Sequence, residues 1–303
     1  MIGFRSHVHG DWKLRWELVI RLLISCFLAL QSQLALVAVP RYLSFLPLLA
    51  MLPISGVVMM ATLGLGRCCR GLFGISAYAP ALVLFHTLFL WGAYISVIRE
   101  AVPSLLDAAM NVQCPLLMFG LYRIIFSDPG VVTDDYSNPE VLPLCSYSES
   151  KLQSKGSFPL TRVRYCRICS ANVLGFDHHC PAFGNCIGQK NHRLFMALLV
   201  GFIISEASYA FCSINLPGDL VVSTLLFSLL QIFWQVIFLT WHIYCICFNI
   251  RTDEWINWRK YPEFHVDSPC QPASDLEYRN PYDNGVVCNI QEFLRPKAPT
   301  SSN

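Results

Sequence analysis

The run LVVSTLLFSLLQIFWQVIFLTWHIYCICF, residues 220–248, decides the fold class of this chain. A helix that spans a bilayer needs about 20 predominantly apolar residues, and this run exceeds that length. Five further runs come near it: 18–39, 42–65, 78–98, 101–126 and 194–214. We therefore predict an all-α polytopic membrane protein with about six transmembrane helices. A count of four or five stays open, because prolines and polar side chains interrupt the first, second and fourth runs.

The composition supports a lipid bilayer as the solvent for much of the chain. Hydrophobic residues make up 54% of the sequence and charged residues 14%, against about 25% charged in ordinary soluble domains. The mean hydropathy is +0.45, so a soluble fold of this length could not hide all the apolar surface. The net charge of +2 gives no reason to expect a nucleic-acid partner.

Basic residues are concentrated in alternate connecting segments, and their distribution predicts the orientation. These basic residues are Lys13, Arg15 and Arg21, then Arg67 and Arg70, then Lys151, Lys155, Arg162, Arg164 and Arg167, then Arg251, Arg259 and Lys260. With six spans, both termini and the polar segment between the fourth and fifth runs face the cytoplasm.

This pattern divides the chain into four parts. They are N-terminal transmembrane helices (1–126), a cytoplasmic segment (127–193) with a cysteine-rich core (164–193), two C-terminal transmembrane helices (194–248) and a cytoplasmic tail (249–303). We expect loops or partly disordered segments in the tail, because it lacks periodicity and is rich in Ser, Pro and Glu.

A Cys/His cluster lies in the second half of the polar segment. It reads Tyr165-Cys166-Arg167-Ile168-Cys169, Asp177-His178-His179-Cys180-Pro181 and Asn185-Cys186-Ile187-Gly188. The Cys-x2-Cys spacing of Cys166 and Cys169 lets one tight turn hold a metal with two thiolates, and zinc takes four ligands at tetrahedral corners. His179 and Cys186 can supply the other two. We predict one structural zinc that braces a small domain with little core of its own; reduced cysteines without a metal are the alternative.

The residues Asp177, His178 and Cys180 stay outside that ligand set. A cysteine is a useful nucleophile only as its thiolate, so it needs a base to take its proton. His178 can be that base, and Asp177 can orient and stabilise the imidazolium. We therefore predict Cys180, His178 and Asp177 as catalytic residues. The alternative is that His178 and Cys180 are further metal ligands, but seven candidate ligands are too many for one zinc.

These residues resemble the DHHC family of protein S-acyltransferases, also called palmitoyltransferases. Further stretches that resemble the motifs of that family are Asp128-Pro129-Gly130, Pro181, Asn185-Cys186-Ile187-Gly188, Asn191, Phe195, Arg251-Thr252-Asp253-Glu254, Asn280-Pro281-Tyr282-Asp283-Asn284-Gly285 and Asn289. The similarity runs from about residue 128 to 293.

The resemblance implies an enzyme that transfers palmitoyl or another long-chain acyl group in two steps. Palmitoyl-CoA or a similar acyl-CoA, as co-substrate, would acylate Cys180, and cysteines of membrane-associated substrate proteins would then take the acyl group. No residue is assigned to acyl-CoA binding. The expected location is the endoplasmic reticulum, Golgi or plasma membrane, with the catalytic domain facing the cytoplasm.

The chain departs from the family pattern in three ways. Members usually carry two Cys3His zinc sites, but Tyr165 and Asn172 stand where ligands of the first site are expected, and Cys145 stands alone. Ala182 replaces a tryptophan, and Arg251 replaces a threonine. These departures motivate a competing hypothesis, a catalytically weak or inactive zinc-domain scaffold that docks partners. A transporter or channel is a further alternative, but it leaves the Cys/His cluster without a role.

Two polar side chains, Glu206 and His242, fall inside predicted spans. Ionisable groups at membrane depth suggest a function by default. Hydrogen bonding from helix to helix is the simpler interpretation of both residues, and it is the one we favour.

Overall fold

A computed structural model of the protein describes residues 12–73, 78–132, 162–266 and 277–295. The α-helices within these ranges are α1 (Trp12–Tyr42), α2 (Leu48–Phe73), α3 (Ala79–Ala93), α4 (Ser104–Phe126), α5 (His192–Ser213), α6 (Asp219–Cys247), α7 (Thr252–Asn257) and α8 (Val286–Leu294). Over this described part, five stretches are long and apolar enough to cross a bilayer: Trp16–Tyr42, Ala79–Ala101, Ser104–Phe126, His192–Ser213 and Asp219–Cys247. The predicted polytopic helical membrane fold is confirmed.

The second predicted run differs from the other five. It forms a helix, α2, but the apolar stretch found there is the shorter Leu48–Thr62. Pro47 lies before the first turn of α2, so the helix begins later than the predicted run. The described residues therefore contain five candidate spans where the sequence predicts about six.

The helices form a bundle in which α6 is central. It packs against α5, α1 and α2, while α4 packs against α5 and α1 packs against α3. Side chains of α4 and α5 form one apolar cluster with the cysteine-rich segment: Leu117, Leu121, Ile124, Cys180, Phe183, Ile187, Phe195 and Leu198. The cysteine-rich segment is thus packed directly on the ends of membrane helices.

The segment between α4 and α5 contains two small antiparallel sheets. One has the strand order β1-β3-β2 and the other pairs β4 with β5. Their bounds are β1 (Val131–Val132), β2 (Val163–Cys166), β3 (Ala171–Leu174), β4 (His178–Cys180) and β5 (Asn185–Ile187).

The turn at Asp128 joins these sheets to α4. The Asp128 carboxylate accepts the backbone N–H groups of Gly130 (2.8 Å) and Val131 (2.9 Å), which fixes the turn. Gly188 follows β5 and passes close to this turn. A Cβ atom on Gly188 would lie 2.4 Å from the carbonyl oxygen of Pro129, so the close approach requires glycine.

The structure of the tail differs from the predicted loops or partly disordered segments. Its described part contains α7 and α8, and Asn289 anchors α8 to the end of α6. The Asn289 side chain donates to the Cys247 carbonyl (2.8 Å) and to the Asp283 carboxylate (2.7 Å). Helices this short are marginal in isolation, so they depend on such tertiary contacts, which periodicity does not report.

Candidate active site and metal centre

The short strand β4 sorts the predicted residues into two groups. Successive side chains of a strand point to opposite faces, so His178 and Cys180 share one face and His179 takes the other. The partner strand places Cys186 opposite His179 and Asn185 opposite Cys180. One hairpin therefore contributes to two adjacent sites, a Cys/His cluster and an Asp-His-Cys array.

The turn of this hairpin is a tight one. Its backbone N–H groups at Phe183 and Gly184 donate to the carbonyls of Cys180 (3.3 Å) and Pro181 (3.2 Å). Pro181 favours such a turn because its φ angle is fixed, and Gly184 has a φ of +59°, which a glycine adopts without strain.

The face of β4 with His179 contributes to a four-residue cluster of Cys166, Cys169, His179 and Cys186, whose donor atoms all lie within 4.8 Å of one another. His179 Nδ1 lies 3.3 Å from Cys169 Sγ, 3.7 Å from Cys186 Sγ and 3.9 Å from Cys166 Sγ. Tetrahedral zinc with ordinary Zn–S and Zn–N bonds needs ligand atoms about 3.6–3.8 Å apart. The three thiols and one imidazole therefore fit zinc in both chemistry and spacing.

Burial also makes this cluster suited to a cation. It raises the pKa of the Cys169 and Cys186 thiols, and it lowers the pKa of the His179 imidazole. Thiolates at these positions are therefore unfavourable without a positive charge between them, and a divalent metal would supply that charge. The structure brings together the four residues that the sequence predicts as zinc ligands.

The other face of β4 presents His178 beside a fully buried carboxylate. Asp177 is 0% exposed, and its Oδ2 accepts a hydrogen bond from His178 Nδ1 at 2.7 Å. The backbone N–H of Thr252, at the start of α7, donates to Asp177 Oδ1 at 3.1 Å. The N–H of Asp253 donates to the Asp177 carbonyl at 2.9 Å. The tail therefore fixes the carboxylate that orients His178.

Electrostatics in this array favour a carboxylate and an imidazolium. Burial opposes charge on Asp177, but the hydrogen bond from His178 and the charges of the surrounding histidines together outweigh it and hold the pKa of the carboxyl far below its usual range. Burial likewise opposes charge on His178, but the interactions with Asp177 and Cys180 raise the pKa of the imidazole to about 9. His178 is therefore a strong base toward a neighbouring thiol.

The thiol of Cys180 lies within the apolar cluster at the ends of α4 and α5. Cys180 is buried, 6% exposed, together with Phe183 and Phe195. The ring of Phe195 packs edge-on against His178, with 5.4 Å between the ring centroids. The Cys180 thiol and the His178 imidazole thus lie where the cysteine-rich segment meets the apolar interior of the membrane bundle.

Comparison with known proteins points to one family. Residues 149–217 match the family model described as DHHC palmitoyltransferase. Over this segment the chain is similar to the DHHC family.

Relatives within this family cover the chain to different extents. Palmitoyltransferase ZDHHC17 of Mus musculus is 28% identical over 198 residues, which cover 55% of this chain and 30% of the relative. Probable protein S-acyltransferase 15 of Arabidopsis thaliana is 28% identical over 204 residues, 60% of this chain and 76% of the relative. Palmitoyltransferase AKR1 of Mortierella alpina is 48% identical over 52 residues, which cover 17% of this chain and 9% of the relative. The chain therefore spans less than a third of the length of ZDHHC17.

The residues that stand at expected zinc positions of the DHHC family face each other in the sheet. Tyr165 pairs with Asn172 in the β2–β3 ladder, and both are exposed. Neither side chain is a thiol or an imidazole, so this pair does not offer zinc ligands. Among the described residues, one metal-binding cluster contains cysteines; Cys145 lies outside them.

An arginine that no sequence motif singles out joins the DHHC segment to the tail. Arg162 donates to both carboxylate oxygens of Glu254, from Nε at 2.8 Å and from Nη2 at 2.5 Å. It also donates to the side chain of Asn249 (2.7 Å) and to its carbonyl (2.8 Å). Glu254 in turn accepts the Arg251 backbone N–H at 2.9 Å and so caps α7. Charge alone marked Arg162 as a cytoplasmic residue, and no motif singled it out.

The second missed feature is a pair of buried histidines around Asp177. His192 and His242 are both buried, and the Arg251 side chain contacts His192 Nδ1. The prediction of a helix-to-helix hydrogen bond for His242 is wrong, because neither of its ring nitrogens has a hydrogen-bond partner among the described residues. The burial of both histidines around Asp177 is visible only in three dimensions.

Proposed function

We propose that this protein is a protein S-acyltransferase that moves a long-chain acyl group, such as palmitoyl, from acyl-CoA through Cys180 to cysteine thiols of substrate proteins. Cys180 is the nucleophile, His178 the base and Asp177 the residue that orients the base. In this proposal residues 1–126 and 194–248 supply the membrane helices, residues 127–193 the catalytic segment, and residues 249–303 the tail.

One observation carries the proposal. The Cys180 thiol shares one face of β4 with the His178 imidazole, whose Nδ1 donates to a buried carboxylate, and this array packs on apolar ends of membrane helices. The array is the arrangement that activates a cysteine nucleophile. The apolar surroundings suit a substrate whose alkyl chain gains about 0.8 kcal/mol for each buried CH2.

The first half-reaction forms the acyl-enzyme. His178 takes the proton of the Cys180 thiol, and the thiolate attacks the thioester carbonyl of acyl-CoA. A new C–S bond to Cys180 forms, the C–S bond to CoA breaks, and the CoA thiolate takes the proton back from His178. Asp177 stabilises the imidazolium while it holds the proton.

The second half-reaction releases Cys180. His178 now takes the proton from the thiol of a substrate cysteine, and the resulting thiolate attacks the acyl-enzyme thioester. The bond to Cys180 breaks as the new thioester forms, and the proton returns to Cys180. The net result is protein S-acylation and free CoA, with no oxidant or reductant required.

Zinc would have a structural role in this mechanism. Cys166, Cys169, His179 and Cys186 would hold it, and the bound ion would cross-link the β2–β3 hairpin to the β4–β5 hairpin. His179 is adjacent to His178 in β4, so this cross-link would fix the strand that carries the base and the nucleophile.

The proposed topology puts the catalytic segment on the cytoplasmic side of the endoplasmic reticulum, Golgi or plasma membrane. The basic residues of the alternate connecting segments support this orientation. Substrate proteins would present their cysteines at the same membrane surface, where acyl-CoA is also available.

Purified protein incubated with palmitoyl-CoA tests the proposal. We expect release of one CoA per chain in a burst and a hydroxylamine-sensitive acyl group on Cys180. The Cys180→Ser variant should lose both, and Cys288→Ser, which removes an exposed thiol on α8, should retain both. Absence of CoA release and of the thioester from wild-type protein would contradict the enzyme assignment.

The departures at Tyr165, Asn172 and Arg251 support one competing function, a scaffold that docks partners through its zinc segment. A scaffold keeps its zinc and its partners when Cys180 is replaced, and it shows no difference in label between the wild type and Cys180→Ser. The same labelling experiment therefore separates the two functions.

A further inference from the structure

His242 on α6 is buried without any hydrogen bond. Its side chain is 0% exposed, and both ring nitrogens are without a partner among the described residues. A buried polar group that makes no hydrogen bond destabilises the fold relative to an apolar side chain of the same shape. Packing alone would therefore favour phenylalanine at this position, and an imidazole here calls for a different explanation.

Neighbouring aromatic rings fix the orientation of this imidazole. Phe238 packs edge-on against it with 4.5 Å between ring centroids, and Phe195 does the same at 4.9 Å. In this orientation His242 Nδ1 lies 3.8 Å from Asp177 Oδ2. That separation is about 0.8 Å longer than an ordinary N–H···O hydrogen bond.

The Asp177 carboxylate has room for another donor. Its Oδ2 accepts one hydrogen bond, from His178, and its Oδ1 accepts one, from the backbone of Thr252. Each carboxylate oxygen can accept two. A small approach of α6 toward β4 would therefore let Oδ2 accept from His178 and His242 together.

We propose that His242 is a positioning residue that donates its Nδ1–H to Asp177 Oδ2 during acyl-enzyme formation. A second donor on Oδ2 fixes the carboxylate relative to α6 and therefore fixes the direction in which it holds His178. The inference rests on the proposed function, since it assigns His242 a role in the same reaction. In this proposal His242 acts through Asp177.

A set of substitutions at His242 tests the role. His242→Phe keeps the ring and removes the donor, so the rate constant for acyl-enzyme formation should fall about tenfold while the KM for palmitoyl-CoA stays unchanged. His242→Asn places an amide N–H near the position of Nδ1 and should restore the rate to within about threefold of wild type. His242→Gln places its amide near Nε2 instead and should remain slow. Gln235→Leu removes another buried polar group from α6 and should leave the rate unchanged.

The outcomes separate this inference from its foundation. A wild type that forms no acyl-enzyme would refute the proposed function. A reactive wild type with an equally reactive His242→Phe variant would refute only the role of His242. Equal losses of the acylation rate in the Phe, Asn and Gln variants, together with lower thermal midpoints, would show that His242 contributes only through packing and would refute the positioning role. If His242→Phe does not fold, the acylation rates of the Asn and Gln variants decide: a faster Asn variant supports the positioning role, and equal rates refute it.

Discussion

Replacing Asp177 with asparagine tests the electrostatic basis of the proposed mechanism. The substitution keeps the shape of the side chain and an oxygen that can accept from the Thr252 backbone, but it removes the negative charge next to His178. Asp177 is fully buried and His178 is 19% exposed, so solvent screens their interaction only weakly. The zinc cluster lies on the opposite face of β4 and keeps all four ligands.

The structure sets the size of the expected effect. Burial alone would lower the pKa of His178, yet the value is about 9, above the ordinary 6.5, chiefly because Asp177 stabilises the imidazolium. That difference corresponds to about 3 kcal/mol. The imidazolium forms when Cys180 loses its proton, so loss of its stabilisation should slow acyl-enzyme formation roughly a hundredfold.

Rapid mixing with palmitoyl-CoA and measurement of free CoA gives the rate constant. We expect Asp177→Asn to be about a hundredfold slower than wild type, with unchanged zinc content and unchanged KM. Asp128→Asn provides a matched control, because its carboxylate is 51% exposed and its ion pair with Lys190 contributes little. Acyl-enzyme formation at the wild-type rate in Asp177→Asn would refute the assignment of Asp177 as the residue that supports the base.

Three further predictions follow from the same contacts. Metal analysis should find one zinc per chain, and Cys169→Ser should lose it with a fall in thermal midpoint; two equivalents per chain would contradict the single site. The pKa of His178 is about 9 in the folded protein against 6.5 ordinarily, so the stability from its pair with Asp177 is fully present below about pH 6.5 and is lost as pH rises through about 9. Thermal midpoints of the wild type should therefore fall between about pH 6.5 and 9, and those of Asp177→Asn should change less. The same pH dependence in both proteins would contradict a stabilising interaction between Asp177 and His178. Arg162→Ala leaves the buried Glu254 carboxylate without its partner, and urea or thermal unfolding in detergent should report a loss of about 3 kcal/mol; an unchanged midpoint would contradict this account.

The sequence predicted much of this site because its chemistry is local. Cys166, Cys169, His179 and Cys186 lie within about twenty residues, and their spacing alone indicates a four-ligand cluster. Alternation along a strand then explains why adjacent His178 and His179 belong to different groups, although the strand itself is too short to predict. The long apolar runs predicted the membrane fold because their signal is also local. A helix that crosses a bilayer must be apolar over about 20 consecutive residues.

The remaining features depend on contacts between distant parts of the chain. Arg162 reaches Glu254 across 92 positions, and neither residue is distinguished by its neighbours in sequence. His242 lies in a run whose periodicity says nothing about which side faces Asp177, so its environment could not be inferred. The helices of the tail are short and gain their stability from docking, so propensity alone did not reveal them.

The hydrogen bond from Thr252 to Asp177 has a consequence for how the protein matures. Its donor follows its acceptor by 75 positions, with two membrane helices between them. A ribosome releases the thiol and its base long before it releases the backbone amide that completes the carboxylate's environment. Under the proposed function, the nascent loop would meet acyl donors in an incomplete form, and full reactivity is expected only when α6 is inserted and the start of α7 has docked.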